Sequence, residues 1–218
     1  MNLPKPEQRL GSSEWMLGLG KALCDQHGFK TLVETGTCYG WTAARASQIF
    51  DRVITVEIDE PRLHKAAAEF PNQKIWYLAG SSPEVLHERI LPDIAGQKAI
   101  FWLDAHCQRP DLLPPGGREC PLLDELVEIC GRQGDTVVLI DDARLFLAPP
   151  PKPHRADQWP NLEDIAEAIF GGWRTAVYLA VMADIFVAAP LRLNLKDFFT
   201  GYWRDHYCEP TFSWWSRT

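Results

Sequence analysis

The chain has 218 residues, 46% hydrophobic and 23% charged, which excludes an intrinsically disordered protein and fits one large domain, 1–218, with a core of its own. The formal net charge is −7, and the densest basic patch, Lys152-Pro153-His154-Arg155, is short and broken by proline, so no nucleic-acid partner bound through its phosphates is expected. No run approaches the ~18 apolar residues that span a bilayer, MNLPKPEQRL lacks the apolar stretch of a signal peptide, and the six cysteines include no CxxC pair; the expectation is a cytoplasmic protein with reduced thiols and no membrane partner.

Ser12 or Ser13 can cap a helix over about 14–26, giving an N-terminal helical segment 12–27 that Gly28 ends. Thr31–Glu34 is a short apolar strand that stops at a glycine-bearing turn, and Trp41–Phe50 reads as the next helix. Val53–Glu57 is a second strand; Pro61 then sits in the first turn of a helix reaching Phe70. Ile75–Ala79 is a third strand, followed by a capping signal at Ser81-Ser82-Pro83-Glu84 and a helix to Ile90. Ala99–Asp104 is a fourth strand, and a loop rich in Pro and Gly follows. Pro121 opens a helix whose expected apolar face is Leu122, Leu123, Leu126, Val127 and Cys130. Thr136–Ile140 is a fifth strand, ending on Asp141-Asp142. After an irregular stretch from Leu147 to Pro160, Asn161 caps a helix that Gly171-Gly172 should stop near Phe170. Thr175–Ala180 and Asp184–Ala188 pair as a hairpin, closing a core over 28–190. The extension 191–218 is aromatic-rich and reads as irregular.

Five apolar strands, each followed by a helix, imply a doubly wound, mostly parallel α/β sheet with right-handed crossovers, and the terminal hairpin adds an antiparallel strand. Ligands in such sheets bind beyond the carboxyl ends of the strands. Four of these ends carry acids: Glu34, Glu57, Asp104 and Asp141-Asp142. They either cap the next helices or share a site that supplies positive charge or hydrogen-bond donors. In the turn after the first strand, Gly36 permits close backbone approach to a ligand, and Gly40 stands at a helix entry suited to a carboxylate. Glu57 is placed to accept the two hydroxyls of a ribose. A nicotinamide-type GxGxxG, a P-loop GK[ST] and a GxSxG elbow are all absent.

VETGTCYGWTA, followed by TVEIDEPRLHKA, LAGSSPEVL, FWLDAH and VVLIDDARLF, resembles the successive motifs of the class I S-adenosylmethionine-dependent methyltransferases over residues 28–190. The first motif departs from the commonest form, with ExGxxxG spacing and Cys38 where a glycine often lies, a variant of the O-methyltransferase-like branches. The resemblance implies a seven-stranded Rossmann-like sheet and methyl transfer to a small-molecule acceptor, at a hydroxyl oxygen. It implies that Glu34, Gly36, Thr37 and Gly40 surround the amino-acid end of S-adenosylmethionine. Glu57 would hold the ribose, Ile58, Gly80 and Ser81 would lie at the adenine, and Asp104 would sit near the transferring methyl. It also resembles metal-dependent members that place Asp after the fourth strand and Asp-Asp after the fifth, which implies Mg²⁺ on Asp104, Asp141 and Asp142. The alternative is that Asp142 caps a turn while Asp141 pairs with Arg144.

His106, two residues after Asp104, is a candidate general base or ligand, or else a loop anchor. The tail aromatics Phe198, Phe199, Tyr202, Trp203, Tyr207, Phe212, Trp214 and Trp215 either pack back onto the domain, form a homodimer interface or cover the substrate. Two other functions stay open: a cofactor-binding module without catalysis, and a metal-dependent hydrolase using Asp104, Asp141 and Asp142.

Overall fold

A computed structural model describes residues 12–107, 110, 113, 117–132, 134–148 and 150–206. Its seven strands are β1 (Thr31–Thr35), β2 (Arg52–Glu57), β3 (Ile75–Ala79), β4 (Ala99–Leu103), β5 (Thr136–Ile140), β6 (Val177–Met182) and β7 (Ile185–Pro190), in the order β3-β2-β1-β4-β5-β7-β6. The first five are parallel, and β7 is antiparallel to both β5 and β6. The β6–β7 turn places Ala183 and Asp184 at φ 52° and 65°, the left-handed pair that a two-residue hairpin needs to match the strand twist.

Strand residues alternate between two apolar layers. Val33, Ile54, Phe101 and Val138 face one, and Leu32, Val53, Ile100 and Val137 face the other. The first layer is completed by α4 (Ser82–Val85), which runs on through a π-helical turn (Leu86–Ile90) into α5 (Leu91–Asp93), and by α6 (Leu122–Cys130) and α7 (Leu162–Trp173). The second is covered by α1 (Ser12–His27), α2 (Trp41–Ala46) and α8 (Lys196–His206), while α3 (Glu60–Glu69) packs along β2 and β3. With both faces covered, β1, β4 and β5 are buried along their whole length. No helix among the described residues is long and apolar enough to cross a membrane.

Several sequence expectations are corrected. Helix α2 ends at Ala46, short of Phe50. On α6, Val127 is 65% exposed, and Glu125, 1% exposed, takes the inward position with Leu126 and Ile129. Apolar periodicity does not show this face because its inward stripe includes a charged residue. Gly171-Gly172 do not stop α7, which continues to Trp173 and ends at Arg174 in the left-handed region. Gly172 serves packing: a Cβ there would lie 2.5 Å from Cys130 Cβ, so the small residue lets α7 approach α6. The hairpin strands begin and end one to two residues later than expected.

The tail is helical over Lys196–His206, not irregular. Its aromatics pack back on the protein: Tyr202 and Trp203 meet Trp15 edge-on at 5.6 and 6.3 Å, and Phe199 stacks on Tyr178 at 5.5 Å. Tyr207, Phe212, Trp214 and Trp215 lie outside the described residues.

Candidate functional site

Parallel pairing in register puts the ends of β1, β2, β4 and β5 on one edge of the sheet, and the strand-end acids arrive there together. They form two corners.

At the β1–β2 corner, Glu34 is 2% exposed and lies beneath the turn. Its Oε2 accepts from Thr55 Oγ1 at 2.6 Å, and Thr55 Oγ1 is 2.7 Å from Thr37 Oγ1. Burial pushes the Glu34 carboxyl up to about 8, against the Thr55 hydrogen bond and with a push from Glu57. The side chains of Glu34 and Thr37 are thus spent within the protein and support the turn from below. The turn is tied across to β2, because Gly36 N and Thr37 N both donate to Val56 O, at 2.9 and 3.0 Å.

Gly36 has φ 91°, and a Cβ there would lie 2.3 Å from the Asp104 carbonyl oxygen. The close approach that requires glycine is therefore to the end of β4, where the sequence suggested a ligand. Gly40 caps α2 and packs on Ala66 and Phe70 of the α3 region. The Glu57 carboxylate accepts one backbone N–H on each oxygen, from Cys38 at 2.8 Å and Asp59 at 3.0 Å. A carboxylate has about four acceptor sites, so roughly two remain for hydroxyl donors. Gly80 N donates to Glu57 O at 3.0 Å, which brings the Gly80-Ser81 turn alongside. Tyr39, Trp41 and Ile58 stand exposed around this corner at 62, 61 and 43%.

At the β4–β5 corner, His106 bridges two acids. Its Nε2 is 2.8 Å from Asp142 Oδ2, and its Nδ1 is 3.8 Å from Asp104 Oδ1. The imidazole is 3% exposed, set edge-on to Phe146 and Trp159. Asp142, at φ 52°, turns back from β5 and also meets Arg144 Nη1 at 2.7 Å. Burial pushes its carboxyl up, but the His106 and Arg144 hydrogen bonds and charges outweigh burial and hold it at about 2. Asp104 is pushed the other way: burial, then the charges of Asp141, Glu34 and Asp142, raise it well above the usual carboxylate range. Its side chain is still about one-third exposed, at 35%, so its carboxylate reaches solvent or a ligand.

Asp104, His106 and Asp142 can offer ligand atoms that all lie within 4.8 Å of one another, a spacing that one metal ion can span. Asp141, expected in that set, is engaged elsewhere. Its Oδ1 accepts the Asp142 backbone N–H at 2.7 Å, and Ser12 of α1 hydrogen-bonds to it. The Arg144 ion pair belongs to Asp142 and not to Asp141.

Two acids escaped the sequence reading. Glu125 accepts from Ser82 Oγ at 2.5 Å, and burial pushes it up to about 7 against that hydrogen bond. It lines the same crevice as His106, Cys120 and Phe146. Glu119 is buried between the two long loops. The signal available for Glu125 was an acid at an inward helical position; Glu119, in a loop, offered none.

No protein-family profile and no curated protein matches the chain. Solved structures do. The chain is similar to the S-adenosylmethionine-bound amino pentose methyltransferase CalS10 of Micromonospora echinaspora (11% identity, 87% of this chain and 98% of that one, TM-score 0.56). It is similar to a caffeoyl-CoA O-methyltransferase candidate from Staphylococcus aureus (13%, 80% and 81%, 0.54) and to an S-adenosylmethionine-dependent methyltransferase from Mesorhizobium loti (15%, 82% and 98%, 0.52). At these identities the likeness is one of fold: the chain has the Rossmann-like fold of the class I S-adenosylmethionine-dependent methyltransferases, O-methyltransferase-like structures among them.

Proposed function

We propose that this protein transfers the methyl group of S-adenosylmethionine to a hydroxyl oxygen of a small-molecule acceptor. The observation that carries the reading is the convergence of the Gly36–Gly40 turn, Glu57 and the Asp104–His106–Asp142 cluster on one edge of a methyltransferase-type sheet. The free acceptor sites of Glu57 suit the ribose hydroxyls, exposed Ile58 suits one face of the adenine, and Gly80 and Ser81 border it. Gly36, Gly40 and the Thr37 backbone would flank the amino-acid end, with Glu34 fixing them from beneath.

In the reaction the acceptor O–H bond breaks, an O–CH₃ bond forms, and the C–S bond of the sulfonium breaks to leave a neutral thioether. His106 is the group to take the proton, with Asp142 on its Nε2 orienting the ring. Asp104 would orient the acceptor beside the methyl group. Alignment in a dry site supplies most of the acceleration in this kind of displacement.

The same cluster fits a divalent cation. Such an ion, when bound, lowers the pKa of a coordinated hydroxyl and orients it. Two carboxylates suit Mg²⁺; the imidazole broadens the choice toward Mn²⁺ and Fe²⁺. The roles of His106 exclude one another, since a nitrogen bound to metal cannot also take a proton. Calorimetry with S-adenosylmethionine and S-adenosylhomocysteine tests cofactor binding. Release of S-adenosylhomocysteine over a panel of hydroxylated acceptors, with chelator or with added Mg²⁺ or Mn²⁺, tests the transfer. Absence of binding to either compound would overturn the reading.

A further inference from the structure

Glu119 is where the two long loops meet. Its backbone carbonyl accepts from Cys107 N at 2.6 Å, and its N–H donates to Gln158 Oε1 at 2.8 Å, so the residue is tied to both loops by its main chain alone. Its carboxylate is spent on the second loop. It accepts from Trp159 Nε1 at 2.9 Å, from the Arg155 N–H on both oxygens at 3.0 and 3.1 Å, and from His154 Nδ1 at 3.1 Å. The residue is 2% exposed. A buried carboxylate held chiefly by neutral N–H donors is costly to desolvate, and its ionised form persists only while those donors stay in place. Burial pushes the carboxyl up, but the Trp159, Arg155 and His154 hydrogen bonds outweigh it and hold it below the ordinary range.

What Glu119 fixes is Trp159. The indole ring is set edge-on to His106 at 5.6 Å, with Phe146 beside it at 5.9 Å and His154 behind it at 5.3 Å. An imidazole turned over by half a revolution presents carbons where its nitrogens were. The Asp142 hydrogen bond opposes that flip, and the aromatic rings against the imidazole add a steric barrier to it.

We propose that Glu119 is a positioning residue: by holding the Trp159 indole N–H it walls the His106 ring into the orientation that joins Asp104 and Asp142. The inference rests on the reading of His106 as a site residue, but its test requires no turnover. Two-bond ¹H–¹⁵N spectra of the histidine rings are recorded on the full chain as wild type, Glu119→Gln, Glu119→Ala, Trp159→Phe and the double variant Glu119→Gln/Trp159→Phe, with His106→Asn assigning the signal. Wild type should show one His106 ring state with Nε2 hydrogen-bonded. Glu119→Gln should broaden or split it and speed exchange of the Trp159 indole proton by about tenfold or more. Trp159→Phe should reproduce the effect on His106, and the double variant should add nothing to it.

Faster indole exchange with an unchanged His106 signal makes Glu119 a loop staple only and overturns the proposal. Unchanged exchange, or a further loss of the His106 signal in the double variant, overturns it as well. If the Glu119 variants do not fold, Trp159→Phe alone decides: an intact His106 signal refutes the wall. A chain that binds no S-adenosylmethionine yet shows the expected His106 changes would refute the catalytic reading and keep the positioning.

Discussion

The two corners of the sheet edge are built on opposite plans. At the β1–β2 corner the polar groups are joined within a short turn and its two strands: Glu34 to Thr55, Thr55 to Thr37, and Glu57 to the Cys38 and Asp59 backbone. At the β4–β5 corner the partners come from distant parts of the chain. His106 meets Asp142 across 36 residues, and Glu119 meets Trp159 across 40. The charge states differ too. Glu34 is buried with only hydroxyl donors and is pushed up to about 8, whereas His106 and Arg144 hold Asp142 at about 2. Under the proposed function the first corner would grip a constant cofactor and can be local, whereas the second, where a proton would change hands, joins a low Asp142 and a raised Asp104 through one histidine.

Breaking the first corner should have the largest effect. Gly36→Ala forces a side chain into the left-handed region and against the Asp104 carbonyl, at a combined cost of about 3 kcal/mol or more. For a chain of this size that lowers the melting temperature by about 6–12 °C in a calorimetric scan. A variant as stable as wild type would show that the β1 turn and the end of β4 are not locked together. At the second corner, His106→Asn should leave S-adenosylmethionine affinity within about twofold and lower turnover by about 100-fold or more, the usual size of a lost general base. Equal losses of binding and turnover would erase the distinction between the corners. Glu57→Ala tests the reverse, with affinity for S-adenosylhomocysteine weakened by about tenfold in calorimetry. Unchanged affinity in the folded variant would remove Glu57 from the ribose.

The same contrast governs what the sequence discloses. The strands were legible because each is a short, nearly continuous apolar run bounded by turn residues, and Ile75–Ala79 and Thr136–Ile140 are observed at the bounds expected. The first corner was legible because its spacing lies inside one turn and the strand that follows. The second was legible only in part. Asp104, His106 and Asp142 could be nominated one by one, but not the choice of Asp142 over Asp141 for the shared cluster. That choice follows from the left-handed backbone at Asp142 and from Ser12 reaching Asp141, both tertiary facts. Glu125 was hidden because an inward acid breaks the apolar pattern of α6 until Ser82, 43 residues away, supplies its partner. Gly171-Gly172 read as a stop because local propensity does not see Cys130 on the facing helix.

The smallest predicted effect compares the corners through proton linkage. Glu34 is an acid whose folded value, about 8, lies above its ordinary 4.5, so between these limits the folded protein binds more protons than the unfolded chain. Its contribution is fully present below about 4.5 and is lost as pH rises through about 8. Asp142 has the opposite sign: held at about 2 against an ordinary 3.8, it contributes above 3.8 and is lost as pH falls through about 2. Denaturant unfolding in chelator at pH values from about 2 to 9 should therefore show an alkaline limb and an acid limb. Glu34→Gln keeps the side-chain shape without the proton and should remove the part of the alkaline limb that reaches about 8, leaving the shares of Glu125 and Asp104 and the whole acid limb in place. Asp142→Asn should do the reverse, on top of a lower plateau from the lost His106 and Arg144 contacts. If one substitution removed both its own limb and the other, Glu34 and Asp142 would titrate as a single coupled cluster, and the electrostatic division between the two corners would fail.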